Sequence, residues 1–512
     1  MSFGRVLVLM AVVLGCACCT GSAVGPELRL EVISRARLTD AEVPAFSPEG
    51  PWVIVAAGQG IRTYAMDARG ELRQIRDEKP GEWLGGVFEG ADVTHVVVHP
   101  VHRGVAAATL VPRSFATERG GVVLWEIESG RVLGTGRTGF NPDSCAFTAD
   151  GALLVIADEG EPDGAINPPG SVTLVDVGGP RAWLTGIETL AIAEEIERVG
   201  GIRVHPNTKS LAEDLEPEYV AIMGDRAFVT CQENNAVLVV NLRERRCERL
   251  IGLGIRRIEA DVSDRDGRVG ALLPMAAMPM PDQIAAVEIG GRRLLVTADE
   301  GDDRGAWGSS VFGDVARLGE LVKSGAVCDS WLAGRDVSDV GYGRVRVCAF
   351  TGKEKGCIKE PVMPGSRSAS LWDADTLELL DHTGSWFEEA MAEGERAAWF
   401  NASRSREEVD SRSDDRGPEP EGVVIGKVGG RWYAFVTLER PGAIAMMEID
   451  AERGRFRRAG VHLSAADGDF GPEGAAFVPA SESPTGGDVL IVAFEASGTV
   501  VVYAVSEGVV RR

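Results

Sequence analysis

From about residue 27 onward the chain is a succession of short apolar runs, alternating or nearly so, each cut by a polar turn containing glycine. Such segments predict short antiparallel strands. One phrase recurs seven times: an alternating strand with a large side chain near its end, at Tyr64, Trp125, Val175, Val240, Trp372, Met447 and Tyr503. The step from Val240 to Trp372 spans 372 − 240 = 132 residues and reads as two ordinary steps or as one step with a large insertion. A second phrase usually precedes the first, an apolar strand ending in an acid and a turn. Its copies end at Glu159, Glu233, Glu300, Glu439 and Glu495, with a degenerate copy at Gln59. A third phrase, proline then an acid, comes earlier still, at Pro142–Asp143, Pro217–Glu218, Pro281–Asp282, Pro420–Glu421 and Pro472–Glu473. Each unit is thus three or four strands, and radial repetition of such units makes a β-propeller.

The fold expected is all-β: a seven-bladed β-propeller with helical and loop insertions, forming one domain over 27–507. Its ring needs an N-terminal strand to complete the last blade, and Leu28–Ile33 suits that role. A β-sandwich explains the common unit less well. Three segments break the repeat. Residues 181–212 hold a helical pattern at Thr189–Val199; residues 303–367 are Gly-rich and carry Cys328, Cys348 and Cys357; residues 386–416 open like a helix and continue as a charged run. Export permits disulfides, and a local bridge among those three cysteines is expected.

Residues 1–23 read as an export signal. Arg5 supplies the basic start and Val6–Leu14 an apolar stretch too short to span a bilayer as a helix. Gly15–Cys16 resembles a lipobox, so cleavage before Cys16 with lipidation competes with cleavage after Ala23. The mature protein is then extracytoplasmic, either secreted or an outer-surface or periplasmic lipoprotein. It would touch a membrane only through a lipid anchor.

Composition narrows the partners. The 64 glycines among 512 residues fit many tight turns. With 53 Lys and Arg against 77 Asp and Glu, the net charge is −24. That balance excludes nucleic acid, whose phosphates demand clustered basic residues, and favours divalent cations. Nucleophile elbows, zinc-binding helices and nucleotide loops are all missing from the sequence, and no catalytic residue is identified. His95, His99 and His102 lie close together, but Pro100 breaks their strand.

The acids are the candidate chemistry. If the Pro-acid pair opens the innermost strand, carboxylates converge at a channel mouth, where like charges need a neutralising cation. Many hard oxygens suit Ca²⁺. The metal-ligand candidates are Glu218, Glu233, Asp282, Glu421, Glu439 and Glu473, together with Glu300, Asp302 and Asp303 of one acid-dense turn and Asp414 and Asp415 of another. Arg304, Arg412, Arg416 and Arg440 are candidates for holding an anion or phosphate, because the guanidinium fork matches such groups. Each acid could instead cap a turn or pair with an arginine, and on charge alone the 410–421 run reads as a solvated loop.

Several stretches, among them Leu215–Leu242, Met280–Ala285, Ala298–Arg304, Ser411–Gly426 and Ala434–Gly442, resemble the choice-of-anchor I proteins. The resemblance covers most of the chain beyond the leader. It implies varied modes of surface attachment, a link to biomineralisation through echinoderm cell-surface glycoproteins, and, in some bacterial members, an alkaline-phosphatase-like description. Two functions follow as expectations. One is an acidic surface propeller that binds Ca²⁺ and acts as a binding or mineral-associated module for an extracellular polymer or mineral. The other is a metal-dependent phosphoesterase acting on a phosphate ester.

Overall fold

The computed structural model describes residues 25–304 and 311–508. The leader expected over 1–23, with Cys16, lies outside the described residues. Strands dominate and helices are short.

Seven sheets follow one another along the chain, each of four antiparallel strands joined by hairpins or connections of varied length. Sheet 1 is Ala41–Ser47, Trp52–Ala57, Gly60–Met66 and Leu72–Glu78; sheet 2 is Asp92–Val98, Val105–Val111, Gly121–Glu126 and Val132–Arg137. Sheet 3 is Pro142–Phe147, Leu153–Asp158, Ser171–Gly178 and Trp183–Ala191; sheet 4 is Pro217–Met223, Arg226–Cys231, Ala236–Asn241 and Arg246–Gly252. Sheet 5 is Ile284–Ile289, Arg292–Asp299, Ser368–Asp373 and Leu379–His382; sheet 6 is Pro420–Val428, Arg431–Leu438, Ala443–Asp450 and Arg455–Leu463. Sheet 7 takes Pro472–Val478, Val489–Phe494 and Thr499–Glu507 from the end of the described chain and Leu28–Arg37 from its beginning. Leu28 stands opposite Glu507, and Arg37 opposite Thr499.

The first strands neighbour one another in cyclic order, sheet 7 returning to sheet 1, and so enclose a common axis. The apolar core is divided accordingly. A separate buried cluster fills each of the seven junctions, including the one between sheets 7 and 1, where Val53 and Tyr64 meet Ile491 and Val502. Because both faces of each sheet are covered, the middle strands are apolar throughout; every residue of Val105–Val111 is buried. This all-β radial arrangement is a β-propeller.

The seven-copy phrase proves to be the third strand. Its large residue sits at or next to a break in register with the fourth strand, between Thr63 and Tyr64, Leu124 and Trp125, Val239 and Val240, Leu371 and Trp372, and Met446 and Met447. Such bulges bend a strand and increase its local twist.

Insertions interrupt the repeat, and not every element expected in them forms. The helix read at Thr189–Val199 is not formed. Trp183–Ala191 is the fourth strand of sheet 3, and Glu197–Val199 adds a parallel fifth strand to sheet 4. An isolated helix of that length is marginal, whereas Ile187, Thr189 and Ala191 find a ready ladder on Ser171–Gly178. The 132-residue step is one step with insertions. Besides 303–367, which separates the second and third strands of sheet 5, the hairpin Arg256–Ala260 and Leu273–Ala277 stands ahead of that sheet and pairs with Val362–Met363. Cys328 and Cys357 form the local disulfide, and Cys348 is free and buried. Trp386–Met391 is helical as expected. The 410–421 run is not solvated: Ser413 and Glu419 have no exposed surface, and Asp414 keeps 2%.

Candidate carboxylate site

The site is generated by a repeated entry into the first strand. The residue before that strand takes a left-handed conformation at Asp40, Asn141, Glu419 and Gly471, and Met280 does so directly before Pro281–Asp282. In sheets 3, 6 and 7 its carbonyl accepts the amide of the acid that ends the second strand: Glu159 from Asn141 (2.9 Å), Glu439 from Glu419 (2.9 Å) and Glu495 from Gly471 (2.8 Å). The proline opens the strand where the ladder needs no donor. The register then shifts, between Pro142 and Cys145, Pro217 and Val220, Pro420 and Val423, and Pro472 and Ala475. The acid after the proline lies within each bulge, a device that re-aims side chains.

Hydroxyls lock these acids from one sheet to the next. Ser144 donates to the Glu218 carbonyl (2.5 Å), Thr230 to that of Asp282 (2.7 Å) and Thr437 to that of Glu473 (2.9 Å). The acid positions of the first strands are thereby fixed around one axis. Six of the seven sheets carry a carboxylate there: Glu42, Asp143, Glu218, Asp282, Glu421 and Glu473. Sheet 2 has Thr94 instead, within the register shift between Val93 and His95.

The structure brings some predicted ligands together. Glu300, Glu421 and Glu439 each offer an oxygen within 4.8 Å of the others, and Glu439, Glu473 and Glu495 do the same. Glu439 belongs to both groups, so an arc of five carboxylates runs across sheets 5, 6 and 7. Glu300 is held by Arg416 (2.6 Å) and by the Gln232 amide (2.8 Å), and Glu439 by Arg440 (2.7 Å). One oxygen of Glu421 is buried without a partner.

Burial pushes these carboxyls upward, and their negative neighbours add to the push. Glu300 rises to about 7, restrained by Arg416, and Glu439 to about 8. Glu421 and Glu473 rise well above the ordinary range; after burial, the largest contributions come from Glu300 and Glu439 respectively. Glu218, Glu233 and Asp282 are raised likewise, again chiefly by burial. The Tyr219 hydroxyl feels Asp143, Asp282, Glu473 and Glu421, acids from four sheets. A cation would relieve the whole arrangement.

Other predicted residues do not join the arc. Asp303 pairs with Arg346 (2.7 Å), Asp415 with Arg346 (3.2 Å) and Arg412 (3.0 Å), and Asp414 with Arg344 (3.0 Å) and Arg317. Half-exposed Asp302 meets Arg416 (2.9 Å). The four candidate anion-binding arginines are all engaged on carboxylates. Arg304 holds Glu216 (2.9 Å) and Asp214 (3.4 Å), while Arg412, Arg416 and Arg440 converge on Glu419 at 2.7, 3.5 and 2.8 Å. That triple contact overrides burial and holds Glu419 down at about 2. Among the histidines, His95 lies 3.6 Å from the Cys145 sulfur, whereas His99 accepts the amides of Val101 and His102. The rings of His99 and His102 lie 5.1 Å apart.

Sequence reasoning missed Glu42, which follows Ala41 rather than proline. It also missed Glu216 as the partner of Arg304. Glu216 stands directly before Pro217, a signal the motif contained but did not single out.

A family model described as the choice-of-anchor I domain matches residues 42–452. Gigasin-3a of Magallana gigas is 30% identical over 159 residues, 28% of this chain and 56% of that protein. The chain thus spans about half the length of this curated relative. Among solved structures, the Cps50 (Swd1) β-propeller domain of Myceliophteria thermophila aligns over 93% of this chain and 99% of its own, with 8% identity and a TM-score of 0.44. A chain of the Mitotic Checkpoint Complex aligns over 98% of this chain and 100% of its own, at 11% identity and 0.46. No helix of the described residues is long and apolar enough to cross a membrane.

Proposed function

This chain belongs to the choice-of-anchor I domain family, and we propose that it is a cell-surface, seven-bladed β-propeller that binds calcium in its carboxylate arc. It acts as a binding module for an extracellular polymer or a calcium-bearing mineral. The blade count is supported by seven successive sheets whose first strands neighbour one another cyclically. The observation that carries the function is the pair of carboxylate groups sharing Glu439. Ca²⁺ takes roughly 6–8 oxygen ligands, and five carboxylates with bound water suit that number. The carboxylates also need a cation, since burial and mutual repulsion oppose their ionised form.

The test is thermal melting of the mature protein in chelator and in excess Ca²⁺. Binding stabilises by about 2.7 kcal/mol when the free ion stands a hundredfold above its dissociation constant. Wild type should melt higher with Ca²⁺, and Glu421→Gln with Glu473→Gln should lose most of that rise. No shift, with no ion found by elemental analysis, refutes the reading. The alternative of a metal-dependent phosphoesterase draws on Arg416, whose Nε is buried without a partner beside the arc. Metal-dependent hydrolysis of p-nitrophenyl phosphate, abolished in Glu421→Gln, is the outcome that would favour it.

A further inference from the structure

Three of the chain's seven lysines, Lys353, Lys355 and Lys359, fall within seven residues of an otherwise acidic protein. They lie on or beside the hairpin of Lys353–Glu354 and Cys357–Ile358, in the segment that leaves sheet 5 at Asp299 and rejoins it at Ser368. This hairpin supplies part of the wall of a cavity of about 450 Å³, within the ~300–1,000 Å³ that small-molecule sites occupy. Ser330, Trp331 and Arg335, from the helical turn Asp329–Leu332 and the residues after it, supply another part. Three links fix these walls together. They are the Cys328–Cys357 disulfide, the Cys328 amide on the Ile358 carbonyl (3.0 Å) and the Ile358 amide on the Ala326 carbonyl (2.7 Å).

The cavity is cationic. Arg257, Arg335, Lys353 and Lys359 line it against two acids, Glu354 and Glu360, a balance of 4 − 2 = +2 in a chain of net charge −24. Both acids are already engaged, Glu354 by Lys359 (3.0 Å) and Glu360 by Arg257 (2.5 Å). Among the described residues, neither Arg335 nor Lys353 has a carboxylate partner. Arg335 is nonetheless held in place: its Nη1 donates to the Trp331 carbonyl (2.7 Å), and its guanidinium lies over the Trp331 ring, 4.6 Å from the centroid. Lys353 is exposed. An oriented guanidinium fork and a free ammonium are the donors that an oxyanion needs. Ile255, 52% exposed on the same wall, offers apolar surface to the body that carries the anion. The charge of the whole chain opposes a long polyanion, whereas one or two anionic units suit the local excess of +2.

We infer that this cavity takes an acidic sugar unit of an extracellular polysaccharide, held through its carboxylate or sulfate by Arg335 and Lys353. This rests on the polymer-binding part of the proposed function and not on calcium, so the test is run in chelator. The full mature chain is titrated by calorimetry with trigalacturonate, with a sulfated galactose trisaccharide and with neutral galactotriose. One or both acidic trisaccharides should bind at one site per chain, more weakly as salt rises, and galactotriose should not; which of them binds identifies the anion. Arg335→Gln with Lys353→Gln should weaken binding about tenfold or more, the scale of a lost charge-assisted hydrogen bond. Lys209→Gln, an equal loss of charge at an exposed lysine elsewhere, should bind as wild type. Cys328→Ser with Cys357→Ser should also weaken binding, because the walls are released from each other. Wild-type affinity in the Arg335/Lys353 pair, equal weakening in Lys209→Gln, or equal binding of galactotriose each overturns the site. If wild type binds neither acidic trisaccharide, the cavity is no such site, while the calcium-dependent melting stands or falls by its own measurement. Should the pair fail to fold, Lys353→Gln, at an exposed side chain, gives the same reading.

Discussion

Replacing Arg367 by Met should be among the costliest single changes in the molecule. Arg367 and Glu388 are each only 1% exposed at the side chain and lie 2.8 Å apart. The guanidinium also donates to the carbonyls of Asp261 (2.6 Å), Ser413 (2.8 Å) and Asp415 (2.8 Å). One side chain thus ties the segment after the sheet 5 insertion to the helix at Trp386–Met391 and to the turn that carries Arg416 and Glu419. Removing one partner of a buried pair costs about 3–5 kcal/mol, because the other charge is left uncompensated. Glu388 would retain only the Asn401 amide (2.9 Å) and a long contact from the Asp261 amide (3.4 Å). At roughly 2 °C per kcal/mol for a large domain, Arg367→Met should melt about 6–10 °C below wild type. The diagnostic is the double variant Arg367→Met with Glu388→Gln. Once the stranded charge is gone it should recover roughly 2 kcal/mol, a coupling in the range expected of contacting residues. Differential scanning calorimetry of the four proteins in chelator closes the cycle. A double variant no more stable than Arg367→Met alone would show that the pair contributes through packing, not charge.

In chelator, the melting temperature should fall as pH rises from about 5 to 9. Glu42 and Glu439 are pushed up to about 8, and Asp143 and Glu300 to about 7, chiefly by burial. The native state therefore binds more protons than the unfolded chain above pH ~4, and stability declines through pH 7–8 as they leave; a flat or rising profile in calorimetry contradicts this. Reducing Cys328–Cys357, which are 29 residues apart, should cost about 3–4 kcal/mol on the loop-entropy relation. The loss should appear as faster proteolysis within 318–363, with the propeller still folded; concerted loss of both would be the contrary result. Trp125→Ala, at a side chain with no exposed surface, should cost about 3–5 kcal/mol, read from the urea midpoint, whereas a cost below about 1 kcal/mol would deny that this repeat position is core.

The sequence carried the repeat well because each phrase has a local cause. Tyr64, Trp125 and their counterparts mark strands that must be apolar on both faces, and the Pro-acid pair marks a strand start where the backbone turns and bulges. Such constraints leave periodic traces. What stayed hidden depends on contacts between distant segments. Thr189–Val199 has a helical pattern, but the open edges of Ser171–Gly178 and Arg246–Gly252 take up its two ends as strands. The 410–421 run looks solvated by composition; its burial rests on Arg367, Arg317 and Arg344 from another insertion and on Glu300 from another sheet. No local count of charge discloses those partners. The same applies to Glu42, visible only once the register of Ala41 with Ala57 aligns Ala41 with the prolines of other sheets and Glu42 with the acids after them.

The pairing of Leu28–Arg37 with Thr499–Glu507 has a consequence for the order of assembly. Arg35 grips Asp469 with two nitrogens (2.9 and 2.5 Å), and the Leu38 amide meets the Gly498 carbonyl (3.0 Å). These contacts join segments more than four hundred residues apart in sequence (469 − 35 = 434). Their closure entropy is recovered only when the last strands are available. Until then Leu28–Arg37 is an unpaired edge, open to the wrong partners. Ring closure is thus the last step of assembly, and Leu28–Arg37 must stay shielded until Thr499–Glu507 is in place.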